Sequence, residues 1–497
     1  MKILLVCPEC PETFWSFKHA LRIASKKALI PPLGLLTVAA MLPPQWQKKF
    51  VDMGVESLRD KDIEWADYVF ISAMQIHKES VYRIITRCKK LGAKIVAGGP
   101  LFTSGCEYAH DIDHLVLNEA ELTLPAFLKD LAEEHPEYIY TSHQWADLDA
   151  TPIPSWELVD MKKYACMPIQ YSRGCPFCCD FCDVTVLFGN RMRTKTTGQV
   201  LAEMESLYLR GWRGPVFVVD DNFIGNQKQL KAEVLPAIID WMEQRNHPFA
   251  LNTQVSINLC DDEDLMGLMV RAGFNTVFVG IETPDDQSLA ECHKSQNRHR
   301  NLVASVRKIQ SFGLQVQGGF IIGFDSDTPS IFARLTEFIQ ESGIVTAMVG
   351  LLNAPSGTKL YRRLLKEKRL IKMPTGDNTD LSMNFVPRMN YDELIAGYRT
   401  VVYRIYSSKL YYERVTTFLR NYRPGPAGRF RRHFYDVRVF VRSIWFLGIR
   451  NKGRIYYWKL LLWSLFRRPQ LFPLAVTLAI HGFHFRKIFS KNEGCPS

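Results

Sequence analysis

Residues 171–183 read Tyr-Ser-Arg-Gly-Cys-Pro-Phe-Cys-Cys-Asp-Phe-Cys-Asp. Within them Cys175, Cys179 and Cys182 form a C-x3-C-x2-C triplet, with Phe181 immediately before the last cysteine. A tetrahedral structural zinc site wants four ligands, and a closed iron–sulfur cluster also takes four cysteines. With no well-spaced fourth partner beside the triplet, the pattern points to a cubane cluster that leaves one iron open to another atom. Zinc, or three reduced cysteines that bind nothing, are the alternatives. Cys178 adds a second way of counting, because Cys175/Cys178 and Cys179/Cys182 are both C-x2-C pairs.

The rest of the chain sets the context for that loop. A length of 497 residues suits about three domains, and 47% hydrophobic content is ample for sizeable cores. The cysteines show no paired framework, and Met-Lys-Ile-Leu-Leu-Val-Cys-Pro-Glu at the start lacks the layout of a signal peptide, so a reducing, cytoplasmic setting is expected. The net charge of +11 is uneven: residues 401–497 hold 19 Lys+Arg against 3 Asp+Glu, leaving 43 against 48 before them. That tail is also aromatic, as in 455–468 and 471–483, yet Lys459, Pro473 and His481 interrupt its apolar runs before they reach spanning length. Two readings stand side by side: helices lying in the interface of the inner membrane face, or helices packed on the rest of the protein with a solvated basic side. Nucleic acid is not expected, since no nucleic-acid motif accompanies the charge.

Upstream of the cysteines, Ile3–Val6, Tyr68–Ser72, Lys94–Gly99 and His114–Leu117 are short apolar runs of the kind that form buried parallel strands. Between them, Val81, Ile84, Ile85, Cys88 and Leu91 fall on one face of a helix. The fold expected over residues 1–140 is a doubly wound α/β domain whose ligand crevice lies at the strand C-termini. Ser72, Gly98, Gly99, Asn118 and Glu119 stand at those ends and are the candidate residues for a large planar ligand. Residues 141–164, with Pro152 and Pro154, read as a linker. Over 165–370, six candidate strands (168–172, 216–220, 250–255, 276–282, 315–323 and 344–350) alternate with helical periodicity at 197–210, 227–244, 262–272, 297–312 and 328–342. That alternation describes a partial (β/α)6 barrel, with active groups at the strand C-terminal ends. Residues 371–497 form a mainly helical C-terminal region.

The cysteine spacing and its aromatic residue resemble the radical S-adenosylmethionine (SAM) superfamily. The domain before them, including Pro-Pro-Leu-Gly-Leu-Leu at 31–36, resembles the cobalamin-binding domain of B12-dependent radical SAM enzymes. No Asp-x-His-x-x-Gly occurs in the chain, so a histidine below the cobalt is not expected. The resemblance implies three cofactors: a [4Fe–4S] cluster on Cys175, Cys179 and Cys182, SAM chelating the fourth iron, and cobalamin. It places Phe181 on the adenine side, Val219-Asp220-Asp221-Asn222-Phe223 where the superfamily meets the SAM ammonium, and Glu282 of Gly-Ile-Glu-Thr near the ribose or carboxylate. Asp220 and Asp221 also suit a helix N-cap, and Glu282 an ordinary barrel-mouth carboxylate. Gln254, Ser256, Asn258, His293, Lys294, Gln317 and Asn353 fall at other strand ends without an assigned role.

In the chemistry so implied, the reduced cluster cleaves SAM to methionine and a 5′-deoxyadenosyl radical. The radical takes hydrogen from an unactivated carbon, and methylcobalamin delivers the methyl group. Phe-Trp-Ser-Phe-Lys-His-Ala (14–20), Val-Asp-Asp-Asn-Phe and the stretch from Tyr391 to Arg414 are similar to the subgroup of hopanoid C-2 methylases and bacteriochlorophyll side-chain methylases. The expected partners are a small hydrophobic substrate, lipid or tetrapyrrole-like, a low-potential donor of the flavodoxin or ferredoxin type, and a membrane surface. Two competing outcomes are a radical SAM enzyme that cyclises or rearranges without methylating, and a non-enzymatic iron–sulfur or corrinoid carrier.

Overall fold

A computed structural model describes residues 1–425, apart from Cys106 and Asn378, and residues 434–490. The tail expectation therefore lies outside the described residues at 426–433 and 491–497. The N-terminal sheet is fully parallel, with strands β1 (Lys2–Cys7), β2 (Gln47–Asp52), β3 (Tyr68–Ser72), β4 (Lys94–Gly98), β5 (His114–Val116) and β6 (Ile139–Tyr140) in the order 2-1-3-4-5-6. Its two faces bury separate apolar sets. Leu4, Val6, Val69, Ile71 and Ile95 meet Val81, Ile84, Ile85 and Cys88 of the helix Lys78–Lys90. Ile3, Leu5, Phe70 and Val96 meet the helices Leu33–Met41 and Ala120–Ala132. Burial on both faces is why these strands read as unbroken apolar runs.

The second sheet contains β7 (Met167–Ile169), β10 (Pro215–Val218), β11 (Ala250–Val255), β12 (Phe274–Glu282), β13 (Gln315–Ile322) and β14 (Ala347–Leu351), all parallel, in the order 14-13-12-11-10-7. It is an open six-stranded sheet with helices between successive strands, as the alternation predicts. The first expected strand divides in two. After Ile169 the chain turns out of the sheet, and β8 (Ser172–Arg173) pairs antiparallel with β9 (Arg193–Thr194). That hairpin closes the base of the cysteine loop.

Helices Tyr391–Tyr406, Ser408–Asn421, Phe434–Ser443, Arg454–Arg467 and Phe472–Ser490 make up the C-terminal region, with the third continuing as a π-helix over Ile444–Ile449. They pack on the barrel. The Tyr406 hydroxyl donates to the Ala347 carbonyl at 2.7 Å and accepts the Ala347 amide at 3.2 Å, capping the edge strand β14. Residues 14–23 leave the first domain to join this core: Phe14 stacks on Phe485 at 4.3 Å, and Trp15 meets Phe278 of β12 edge-on at 5.5 Å. No helix among the described residues is long and apolar enough to cross a membrane.

Candidate active site

The cysteine loop is held open by its glycines. Gly174 has φ +89°, and a Cβ there would lie 2.6 Å from the Arg191 carbonyl, so the loop can begin only with glycine. Cys179 is buried and Cys175 and Cys182 partly so; none is in a disulfide. Burial pushes all three thiols up, Cys182 to about 12, and Cys175 and Cys182 each lie within electrostatic reach of Cys179 and of Lys294. Among the described residues no three His, Cys, Asp or Glu side chains converge on one ion. Cys178, Cys179 and Cys182 line a cavity of about 280 Å³ whose rim includes Lys359 and Arg362.

Around the loop, Glu282 ends β12 at φ +64°, beside a register shift after Gly280. Its Oε1 accepts from Lys294 Nζ at 2.8 Å, and both groups are largely buried. Burial works against the Lys294 charge, but Glu282 and Cys179 outweigh it and hold the pKa above the usual lysine value. The unassigned Lys294 thus joins the site as its buried cation. Phe181 packs edge-on toward Phe324 after β13, at 6.3 Å. Asp221 stays half-buried beside the loop, its pKa pushed to about 6 by burial and by Asp183.

Two expected ligands are otherwise engaged. Asp220 is 0% exposed; it accepts the Tyr171 amide at 2.9 Å and the Ser172 hydroxyl at 2.5 Å. Its carboxylate therefore ties β10 to the start of the cysteine loop and does not cap a helix. Glu119 accepts from Arg173, from Arg193 and from the Ala146 amide. Its oxygens are thus taken up by another part of the chain.

Of the remaining strand-end residues, Ser256 bonds Asn222, Asn353 bonds Asn384 and His293 pairs with Asp180. Gln254 and Gln317 align with Phe278 across β11, β12 and β13, so all three share one face of the sheet. In the next layer Gly280 aligns with Gly319, where a Cβ would strike the Phe278 ring at 2.7 Å. At the first domain's crevice, Ser72, Gly98, Gly99 and Asn118 stand together at the ends of β3, β4 and β5. The glycines answer to packing rather than to an open space: a Cβ on Gly98 would meet the Val116 carbonyl at 2.5 Å, and one on Gly99 the Ala73 carbonyl at 2.9 Å. Ser72 and Asn118 offer a neutral hydroxyl and amide there, suited to an amide-fringed ring, while the nearby Glu119 and Glu121 carboxylates are held by Arg173 and Arg193.

Residues 21–128 match the B12 binding domain, 169–339 the radical SAM superfamily, and 358–494 a domain of unknown function (DUF4070). An uncharacterized methyltransferase of Synechocystis sp. is 37% identical over 98% of this chain and 91% of its own length. The hopanoid C-2 methylase of Rhodopseudomonas palustris is 32% identical over 94% of this chain and 90% of its own. The chain belongs to the B12-binding radical SAM methyltransferase family. The fold agrees: the radical SAM methyltransferase TsrM from Kitasatospora setae, solved with cobalamin and a [4Fe–4S] cluster, superposes with a TM-score of 0.58 at 14% identity, covering 99% of each chain. A B12-binding radical SAM methyltransferase works with a [4Fe–4S] cluster, SAM and cobalamin.

Arg173 and Arg193 were not legible as functional residues. Their signal, one arginine at each end of the cysteine loop, acquires meaning only when Glu119 is found opposite.

Proposed function

We propose that this protein methylates an unactivated carbon of a hydrophobic polycyclic substrate, with Cys175, Cys179 and Cys182 holding the cluster, and Ser72, Gly98, Gly99 and Asn118 contacting cobalamin. When bound, the cluster supplies the electron that opens SAM, and cobalamin carries the methyl group. The protein's own part is to bind, orient and keep dry. Lys294 and Glu282 hold a fixed charge pair beside the cysteines. Gln254 and Gln317 offer the polar contacts on the inner sheet face, and Trp15 with Phe278 supplies an apolar wall there.

That aromatic pair is the observation that carries the substrate class. Both rings are part-exposed, and a polycyclic substrate would bury their remaining surface at roughly 25 cal/mol per Å², which a polar one would not. Anaerobic incubation with CD3-labelled SAM, dithionite and an apolar lipid extract is expected to put the label into an extract component, alongside 5′-deoxyadenosine. Deoxyadenosine without label transfer would favour the non-methylating outcome, and neither product would leave a carrier.

The basic rim at Lys359 and Arg362 supports docking of an acidic flavodoxin- or ferredoxin-type donor over the cysteine loop. Reversing both charges (Lys359→Glu with Arg362→Glu) is expected to slow donor-driven turnover by about tenfold, through lost electrostatic steering. Dithionite-driven turnover should stay unchanged, and equal losses with both reductants would remove this surface from consideration.

At the cobalamin end, His77 follows β3 but accepts the Met74 amide at Nδ1, and burial pushes its pKa down to about 4. Its remaining proton then sits on Nε2, which makes it a poor axial ligand. The paramagnetic resonance spectrum of the Co(II) form is accordingly expected to lack imidazole nitrogen splitting. Such splitting would overturn this reading of the crevice.

The C-terminal region supports a peripheral membrane contact. Val437, Val441, Trp445 and Ile449 recur every fourth residue on one exposed face, and Ile455, Leu462, Leu465 and Phe466 are exposed on the next helix. Arg450, Lys452, Arg454, Lys459 and Arg467 surround them. Apolar and basic side chains so interleaved match the interface of an anionic bilayer.

A further inference from the structure

The cysteine loop is anchored at its base by four charged side chains drawn from two domains. In the β8/β9 hairpin Arg173 and Arg193 are direct cross-strand partners, two and eleven residues outside the Cys175–Cys182 triplet. Both reach Glu119 or Glu121, which follow β5 at the crevice end of the N-terminal sheet. Arg173 donates to Glu119 at 3.0 Å and to Glu121 at 2.7 and 3.0 Å, and Arg193 donates to both oxygens of Glu119 at 2.9 Å. Side-chain exposure is 2% for Glu119, 4% for Glu121, 12% for Arg173 and 17% for Arg193.

The intervening segment is drawn into the same knot. Arg193 donates to the Ala146 carbonyl at 2.6 Å, and the Thr151 hydroxyl donates to Glu121 at 2.8 Å. Trp145 lies under the Arg193 guanidinium at 5.5 Å, and its ring fills the space that a Cβ on Gly189 would need.

Burying four charges costs several kcal/mol of desolvation per ion, and well-packed apolar residues commonly serve stability as well or better. What a charged network adds is register, because two forked guanidiniums fit two carboxylates in few ways. Here the register fixed is that between the cysteine loop and the ends of β3–β5.

We propose that Glu119, Glu121, Arg173 and Arg193 form an interdomain latch that sets the distance and angle between the cluster and the corrin. They are positioning residues, engaged with one another across the two domains. The latch itself rests on geometry alone; what it aligns rests on the function proposed above.

Hydrogen exchange on the full chain tests the latch without any cofactor. In Glu119→Gln/Glu121→Gln, amides of β8 and β9 are expected to exchange at least about tenfold faster, with β11–β13 unchanged. Unaltered exchange in the hairpin would overturn the latch. Glu121→Gln alone, nearly isosteric and leaving Glu119 in place, serves if the double variant does not fold, with a smaller change in the same direction expected. The positioning role is read in protein loaded with cob(II)alamin and the reduced cluster, as the magnetic coupling between the two centres. Expected is a changed coupling while each centre's own spectrum is retained. Faster exchange with unchanged coupling would reduce the four residues to a structural tie and overturn the positioning role. Failure of the parent protein to bind any corrinoid would sink the functional reading while leaving the exchange result to stand on its own.

Discussion

Anaerobically reconstituted Cys175→Ala, Cys179→Ala and Cys182→Ala proteins are each expected to lose the cluster and all SAM cleavage, while Cys178→Ala keeps both. Loss of a residue that merely orients a metal ligand already costs about 10–100-fold in affinity; loss of one of three anchoring thiolates exceeds that. The distinction between Cys178 and Cys179 is the sharper part of the test. Cys179 is buried and lies within electrostatic reach of Cys175, Cys182, Lys294 and Glu282, whereas the Cys178 carbonyl meets Lys359 at 3.5 Å. Iron content and the visible absorption of the reconstituted proteins give the answer directly. An iron-free Cys178→Ala beside an iron-loaded Cys179→Ala would reverse the ligand assignment.

The second large effect is expected at the membrane. Leu462 and Phe466 lie one turn apart on the helix Arg454–Arg467, 53% and 79% exposed. Each apolar side chain withdrawn from a bilayer interface forfeits roughly 1.5–3 kcal/mol. Leu462→Glu/Phe466→Glu should therefore lower sedimentation with anionic liposomes by at least about 100-fold in partition coefficient. Wild-type binding should weaken as salt shortens the Debye length. Thermal unfolding of the variant should be unchanged, since neither side chain is in the core. Equal sedimentation of variant and parent would exclude this face. Deleting everything after Arg420 is the wrong instrument, because Tyr457, Leu460 and Phe485 beyond it are buried in the barrel's own core.

How far the fold was legible depended on where each strand lies. The inner strands β1, β3, β4 and β5 are apolar because helices cover both faces, whereas barrel strands such as β11, Ala-Leu-Asn-Thr-Gln-Val, alternate buried and part-exposed residues; both patterns are visible without a structure. Two missed strands are sheet edges: β2 reads Gln-Lys-Lys-Phe-Val-Asp and β6 has two residues, since an edge needs few apolar side chains and gains from charge; the two-residue β9 of the cysteine-loop hairpin was also missed. The tail held a different lesson. Packing on the core and an exposed apolar face were weighed as alternatives, yet one helix does both, burying Tyr457 and Leu461 while exposing Leu462 and Phe466. At the site, the cysteines were legible because their spacing is local. The partners of Asp220 and Glu119 were not legible, because Ser172 and Arg193 lie 48 and 74 residues away. A single sequence records that a carboxylate is at a strand end but not which distant donor has already claimed it.

The stacking of Phe14 on Phe485 has a consequence for how the molecule is made. At a synthesis rate of about 5–20 residues per second, the Phe14–Phe17 aromatic segment emerges roughly 20–90 s before its partner helix exists. The same delay applies, more briefly, to the free edge of β14, which waits for Tyr406. Two sticky surfaces are thus uncovered during translation while the parallel sheets, slow to form because their contacts are distant in sequence, are still assembling. Slowing elongation between the codons for β14 and the helix Phe472–Ser490 should lower the soluble yield more than the same delay placed between the first two domains, and holdase chaperones should be found on nascent chains that have passed β14 but not yet released that helix.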